Sequence, residues 1–187
     1  MNTRRICGVD EVGRGTLAGP VVASAVILQE NHNIEGLNDS KKLSVKNREL
    51  LFPLIIESSM SVGISIVDSQ IIDKLNIKMA TLLAMKNAVL DLTIKPDIVL
   101  VDGLDKIDIN IPNENIIKGD SKVDCIMAAS IIAKVKRDHL MKEYSNKYPE
   151  FGFEKNKGYG TKFHLNALKT NGPSPIHRMT FKPIKKK

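Results

Sequence analysis

Four acidic residues of this 187-residue chain stand where acids are uncommon, at the ends of its most apolar segments. Asp10 and Glu11 close the run that begins at Ile6, Asp102 closes Asp97-Ile-Val-Leu-Val-Asp-Gly103, and Asp120 stands between a short β-like segment and a long helical one. Carboxylates gathered at strand ends of an α/β sheet hold divalent cations, because a bound cation is what makes several close negative charges tolerable. Paired Mg²⁺ or Mn²⁺ ions roughly 3.5 to 4 Å apart suit hydrolysis at phosphorus. Asp120, just before Ser121, could instead only cap a helix. Asp10 and Glu11 carry a condition: neighbours in a regular strand face opposite sides, so they share one site only if the strand bends or ends there. The glycines that follow would permit it.

The run Gly8-Val-Asp-Glu-Val-Gly13-Arg14-Gly15-Thr-Leu-Ala-Gly19 approaches two phosphate motifs and satisfies neither. A P-loop needs Lys and then Ser or Thr after its last glycine, and a dinucleotide fingerprint needs two residues between its second and third glycines. Here Gly13 is followed by Arg14 and Gly15, and three residues separate Gly15 from Gly19. What remains is a turn whose backbone can approach a ligand closely, carrying one guanidinium beside the carboxylates.

Positioning these groups requires strands. Ile6 to Asp10 and Val21 to Leu28 are β-rich runs joined by the glycine turn, which reads as a hairpin, and Ser61 to Asp68 alternates as a third strand. Ser44 caps a helix through Leu50, Leu51 and Leu54, with Pro53 expected to kink or shorten it. Asp68 and Asn76 read as caps of a short and a long helix. The long one carries Met79, Leu82, Leu83, Met85, Ala88, Val89 and Leu92 as a core stripe and ends at Pro96. A buried strand to Gly103, a weaker strand from Asn115 to Lys118 and a helix of about twenty residues follow. Strands joined by helical crossovers pair in parallel, so the expected class is α/β: a mixed sheet with helices on both faces.

Composition is that of an ordinary globular chain, 42% hydrophobic and 26% charged. One domain over residues 1–187 is expected, with no disulfide or structural metal needed to fold. The longest apolar stretch, Leu17 to Leu28, is too short to span a bilayer, and Asp10 and Glu11 precede any stretch of signal-peptide length. Cys7 and Cys125 match no ligand or redox spacing, so a cytoplasmic setting away from membranes is expected. His32, His139, His164 and His177 match no metal spacing either and read as structural or surface residues. Charge is uneven. Residues 155–187 hold nine bases and no acid, leaving 19 bases against 21 acids before them, so the net +7 resides in one C-terminal segment. Such asymmetry points to a polyanionic partner.

Six ordered blocks then carry a resemblance: Gly8-Val-Asp-Glu-Val-Gly-Arg-Gly15, Asn38-Asp-Ser-Lys-Lys-Leu43, Val101-Asp-Gly103, Lys118-Gly-Asp-Ser121, Ala128-Ala-Ser-Ile-Ile-Ala-Lys134 with Arg137-Asp138, and Lys157-Gly-Tyr-Gly160. Together they resemble bacterial ribonuclease HII, a type 2 ribonuclease H, over residues 6–183. The resemblance implies a ribonuclease H-like fold with a five-stranded sheet and a basic helical C-terminal segment. It implies a monomer that cleaves the RNA strand of RNA–DNA hybrids and incises at ribonucleotides embedded in duplex DNA, leaving 3′-hydroxyl and 5′-phosphate ends. Asp10, Glu11, Asp102 and Asp120 match the family's catalytic metal acids, which hold two Mn²⁺ or Mg²⁺ ions. Gly13, Arg14 and Gly15 match the turn that recognises the ribose 2′-hydroxyl, the group that separates RNA from DNA. Tyr159 matches the tyrosine that packs on the sugar after the junction, and Ser40, Lys41 and Lys42 a block in contact with the nucleic-acid backbone. Thr16 departs from the pattern, standing where proline is usual. Two other readings are weaker. A module that only coats hybrids would be repelled by its own strand-end acids, and a DNA resolvase on the same fold would not need the 2′-hydroxyl turn.

Overall fold

The computed structural model describes residues 4–185, so Lys186 and Lys187 of the basic tail lie outside the described residues. Five strands form one sheet in the order β3-β2-β1-β4-β5: β1 Ile6–Val12, β2 Val21–Leu28, β3 Ser59–Val67, β4 Ile98–Asp102 and β5 Asn113–Ile116. β1, β2 and β3 are antiparallel neighbours, while β4 pairs in parallel with β1 and with β5. The sheet is therefore mixed, as the alternation of hairpin and helical crossover requires.

Helices cover both faces. α2 Ser69–Leu75 and α3 Ile77–Leu90 lie on one side, where Ile72, Ala80, Ala84, Met85 and Ala88 bury against Cys7, Val9, Ala23, Ala25, Val99 and Val101. α1 Val45–Glu57 and α4 Asp124–Lys147 lie on the other, where Leu51, Ile55, Ala128, Ile131 and Ile132 meet Val26. Each fully buried Ile or Leu contributes roughly 1.5–3 kcal/mol. A third cluster gathers Ala18, Met141, Phe151 and Phe153 beneath α5 Phe153–Asn156 and α6 Lys162–Asn171.

The caps are those expected. Ser44, Asp68 and Asn76 accept backbone N–H groups at the starts of α1, α2 and α3. Several boundaries differ from the sequence reading. α1 runs through Pro53 without a break. α3 stops at Leu90 with Asp91 as its C-cap, six residues before Pro96, so the proline does not end it; Met79 is half exposed and lies off the core stripe. β5 begins and ends two residues earlier than expected; Lys118, with a left-handed φ of 57°, leads into a 3₁₀ turn, Gly119–Ser121, and lies outside the strand. β1 continues past Asp10, with Val12 still paired to Val22.

Candidate active site

The register of β1 on β4 places Val9 beside Val101, so one residue further along Asp10 and Asp102 leave adjacent parallel strands on the same face. The third acid arrives from the 3₁₀ turn. The Asp102 carboxylate accepts the N–H of Gly119 at 2.7 Å and that of Asp120 at 3.4 Å, which folds the turn back onto the strand end. One oxygen from each of Asp10, Asp102 and Asp120 then lies within 4.8 Å of the others, and among the described residues this is the one such group able to hold an ion. Asp120 caps nothing; Val123 is the N-cap of α4.

Glu11 is not in this trio. Its carboxylate lies 3.6 Å from the Arg14 guanidinium and near enough to Asp10 to raise that carboxyl. β1 stays paired through Val12, so the strand does not end at residue 11. Glu11 remains close enough to act electrostatically: burial raises its carboxyl most, Arg14 opposes, and Asp102 raises it again.

The trio is charged against itself. Asp10 is 4% exposed, and its carboxyl is pushed well above the usual carboxylate range by burial first and then by Glu11 and Asp102, with only partial relief from the Ser130 hydroxyl and the Glu11 N–H. Burial and Asp120 raise Asp102 in the same sense. An all-oxygen, mutually repelling set of this kind fits a hard divalent cation such as Mg²⁺ or Mn²⁺, which would relieve the strain the acids impose on one another. The Lys41 ammonium sits 2.7 Å from Asp120.

The glycine turn is held from behind by two arginines that residue type alone did not single out. Arg178 donates to the carbonyls of Gly13 (2.6 Å), Arg14 (2.8 Å) and Gly19 (2.9 Å). Arg137, in α4, donates to Pro20 and Ala18 carbonyls, to the Thr16 hydroxyl, and to the Lys157 carbonyl across from the turn. Both are fully buried. Burial lowers their pKa values to about 10 and about 9, still above neutral pH, so both stay charged. Thr16, the departure from the family pattern, also donates to the Gly13 carbonyl at 3.1 Å and so ties the turn to Arg137. With these carbonyls engaged inward, Arg14 and Gly15 remain exposed at the turn's outer edge.

The other predicted residues separate. Lys42 is exposed, and Tyr159 is 47% exposed on the loop between α5 and α6. Ser40 is buried, its hydroxyl 2.8 Å from that of Ser130, so it links its loop to α4 and does not face solvent. Arg178 must be subtracted from the basic C-terminal surface, which leaves Lys155, Lys162, Lys169, Lys182 and Lys185 as its exposed cations among the described residues. His139 pairs with Glu49 on the surface, while His164 and His177 are buried. Burial also raises the Cys7 and Cys125 thiols, so both are unreactive packing groups. A surface cavity at the opposite end of the strands, beside Arg5, His32, Asp97 and Lys122, contains none of the predicted site residues. No helix among the described residues is long and apolar enough to cross a membrane.

Comparison with known proteins agrees with this arrangement. The family model described as ribonuclease HII matches residues 7–184. A ribonuclease HII of Endomicrobium trichonymphae is 52% identical over 180 residues, covering 96% of this chain and 86% of that protein. One from Caldicellulosiruptor bescii is 54% identical over 178 residues, covering 95% and 86%. Among solved structures, the ribonuclease H2 of Pyrococcus horikoshii superposes with a TM-score of 0.82 at 30% identity, covering 96% of this chain and 95% of that one. A fold, an acidic strand-end cluster and a sequence match that coincide over nearly the whole chain leave one assignment: it belongs to the ribonuclease HII family, whose members are ribonuclease H-type nucleases.

Proposed function

We propose that this ribonuclease cuts the RNA strand of RNA–DNA hybrids and also incises at single ribonucleotides within duplex DNA, by water attack at phosphorus that leaves 3′-hydroxyl and 5′-phosphate ends. The carrying observation is the placement of the Asp10–Asp102–Asp120 cluster at the C-terminal end of the strand that runs directly into the Gly13–Arg14–Gly15 turn. Asp10, Asp102 and Asp120 would hold the ions directly, and Glu11 would complete the set on substrate binding. Two such ions, when bound, supply an activated water and stabilisation of the leaving oxygen.

The chain's own residues do the rest. Arg178 and Arg137 hold the turn so that its outer edge can meet a 2′-hydroxyl without an intervening side chain. Arg14 and the two buried guanidiniums add positive potential where a phosphate would arrive. Lys41, lying on Asp120 in the free protein, and Lys42 are placed to meet phosphates at the rim. Tyr159 offers an exposed ring to the sugar that follows the ribonucleotide.

The direct test is an endpoint assay on duplex DNA carrying one ribonucleotide, with all-DNA duplex as control. Incision is expected only at the ribonucleotide, is expected to stop in excess chelator and to return with Mg²⁺ or Mn²⁺. Turnover that persists in chelator would sink the metal assignment. Tyr159→Ala is expected to impair the single-ribonucleotide substrate more than a long hybrid, since one junction then sets the register; equal losses would reduce Tyr159 to a packing role. Lys155→Gln with Lys162→Gln, both exposed, is expected to lower the slope of log affinity against log salt by about two, one per lost phosphate contact, without changing discrimination between hybrid and DNA. An unchanged slope would move the binding surface to Lys41, Lys42 and Lys122.

A further inference from the structure

The loop that presents Tyr159 is held by an unusual pair. His164 and His177 are both buried and face each other Nε2 to Nε2 at 2.9 Å. Their protonation pattern follows from one group that can only donate. The Ser174 backbone N–H lies 2.9 Å and the Ser174 hydroxyl 2.8 Å from His177 Nδ1; the N–H can only donate and the hydroxyl can do so, so that nitrogen accepts. In a neutral imidazole the other nitrogen then carries the proton, so His177 Nε2 donates to His164 Nε2. His164 must therefore carry its proton on Nδ1, which lies 2.9 Å from the Tyr159 carbonyl and donates to it. Every donor and acceptor along the line is matched. The rings are enclosed by Phe151 and Phe153, with centroids 4.7 to 6.0 Å away. Burial lowers both imidazoles, His177 to about 4, in keeping with a neutral pair.

The peptide at the end of this line needs holding. Lys157 and Gly158 both have positive φ, 52° and 86°, which for a lysine is a strained conformation that persists only when its surroundings impose it. Arg137 holds the Lys157 carbonyl, the Leu17 N–H holds that of Gly158, and the Thr161 N–H at 2.8 Å together with the His164 ring at 2.9 Å holds that of Tyr159. The Tyr159 ring itself is half exposed.

We propose that His164 and His177 are positioning residues for substrate recognition, a tautomer-locked relay that sets the Tyr159 peptide and so aims its ring at the sugar beyond the ribonucleotide. The inference rests on the reading of Tyr159 given above, and its test separates the two. Long-range ¹H–¹⁵N imidazole spectra of the full chain at pH 7.5 are expected to show His164 as the Nδ1–H tautomer and His177 as the Nε2–H tautomer; the reverse pair, or charged rings, overturns the relay without any variant. His164→Phe keeps a ring between Phe151 and Phe153 but removes the donor. It is expected to lower kcat/KM about tenfold on duplex DNA with one ribonucleotide and less than about twofold on a long hybrid. His164→Asn, whose amide nitrogen can reach the Nδ1 position, is expected to recover most of that loss. In the Tyr159→Ala background His164→Phe is expected to cost nothing further, because the ring it aims is gone; additive losses would show a general packing role and overturn the proposal. If Tyr159→Ala spares the single-ribonucleotide substrate, the junction reading has failed and the functional half of this inference with it. If Tyr159→Ala discriminates and His164→Phe does not, the relay alone is wrong.

Discussion

Asp102→Asn is expected to reduce cleavage of an RNA–DNA hybrid about a thousandfold while hybrid binding persists. The amide is isosteric, and its oxygen can still accept the N–H of Gly119 that Asp102 accepts at 2.7 Å, so the 3₁₀ turn bearing Asp120 keeps its place. What is lost is one negative charge on a three-acid cluster. A metal centre contributes several kcal/mol to a hydrolytic transition state, and at 1.36 kcal/mol per tenfold a loss of about 4 kcal/mol is about three orders of magnitude. The same substitution has an opposite effect on the metal-free fold. Asp10 and Asp102 are held above the ordinary carboxylate range by burial and by neighbouring acids, so removing a charge relieves repulsion and metal-free thermal stability should hold or rise. The stabilisation that Mg²⁺ or Mn²⁺ gives by binding only the folded state should shrink. Cleavage retained within tenfold, or an undiminished metal-induced rise in Tm, would remove Asp102 from the site.

Gly8→Ala is expected to destabilise the protein by about 4 kcal/mol or more. Gly8 is in the middle of β1, and a Cβ there would fall within 3.0 Å of backbone atoms of Cys125 and Ile126 in α4. Backbone cannot rotate away as a side chain can, so the helix must shift off the sheet. α4 also carries Ser130 and Arg137, so the shift would disturb Asp10 and the glycine turn together. Gly15→Ala is the control: a Cβ there meets nothing within 4 Å, so the fold should be unaffected and any loss of cleavage would report contact with substrate. Thermal unfolding of both variants decides the matter, and a Gly8→Ala protein as stable as the wild type would show that α4 does not approach β1 this closely.

Much of this was legible in the residues. The β-rich runs around Val9, Val26 and Val99, the caps Ser44, Asp68 and Asn76, and the acids at strand ends follow from local periodicity and hydrogen-bonding capacity, which depend on neighbours a few positions apart. The six motif blocks supplied the family, and the comparisons bore it out. Boundaries were less legible where a non-local partner set them, as at β5 and at the end of α3.

Asp10, Asp102 and Asp120 were identified in sequence as acids of one kind, but it took the parallel register of β1 on β4 and the fold-back of Gly119 onto Asp102 to bring their oxygens together. Glu11 lies outside that trio and beside Arg14. Arg178 was counted as part of a basic surface, yet it is buried against the carbonyls of a turn more than 160 positions earlier. The burial of Ser40, read through the resemblance as a backbone contact, and the meeting of His164 with His177 were likewise not legible, because what encloses them comes from distant segments. Local sequence determines which groups the chain can offer and on which element each one rides. Which of them meet, and which are charged, buried or free, is decided by contacts between segments far apart in the chain, whose register no local pattern encodes.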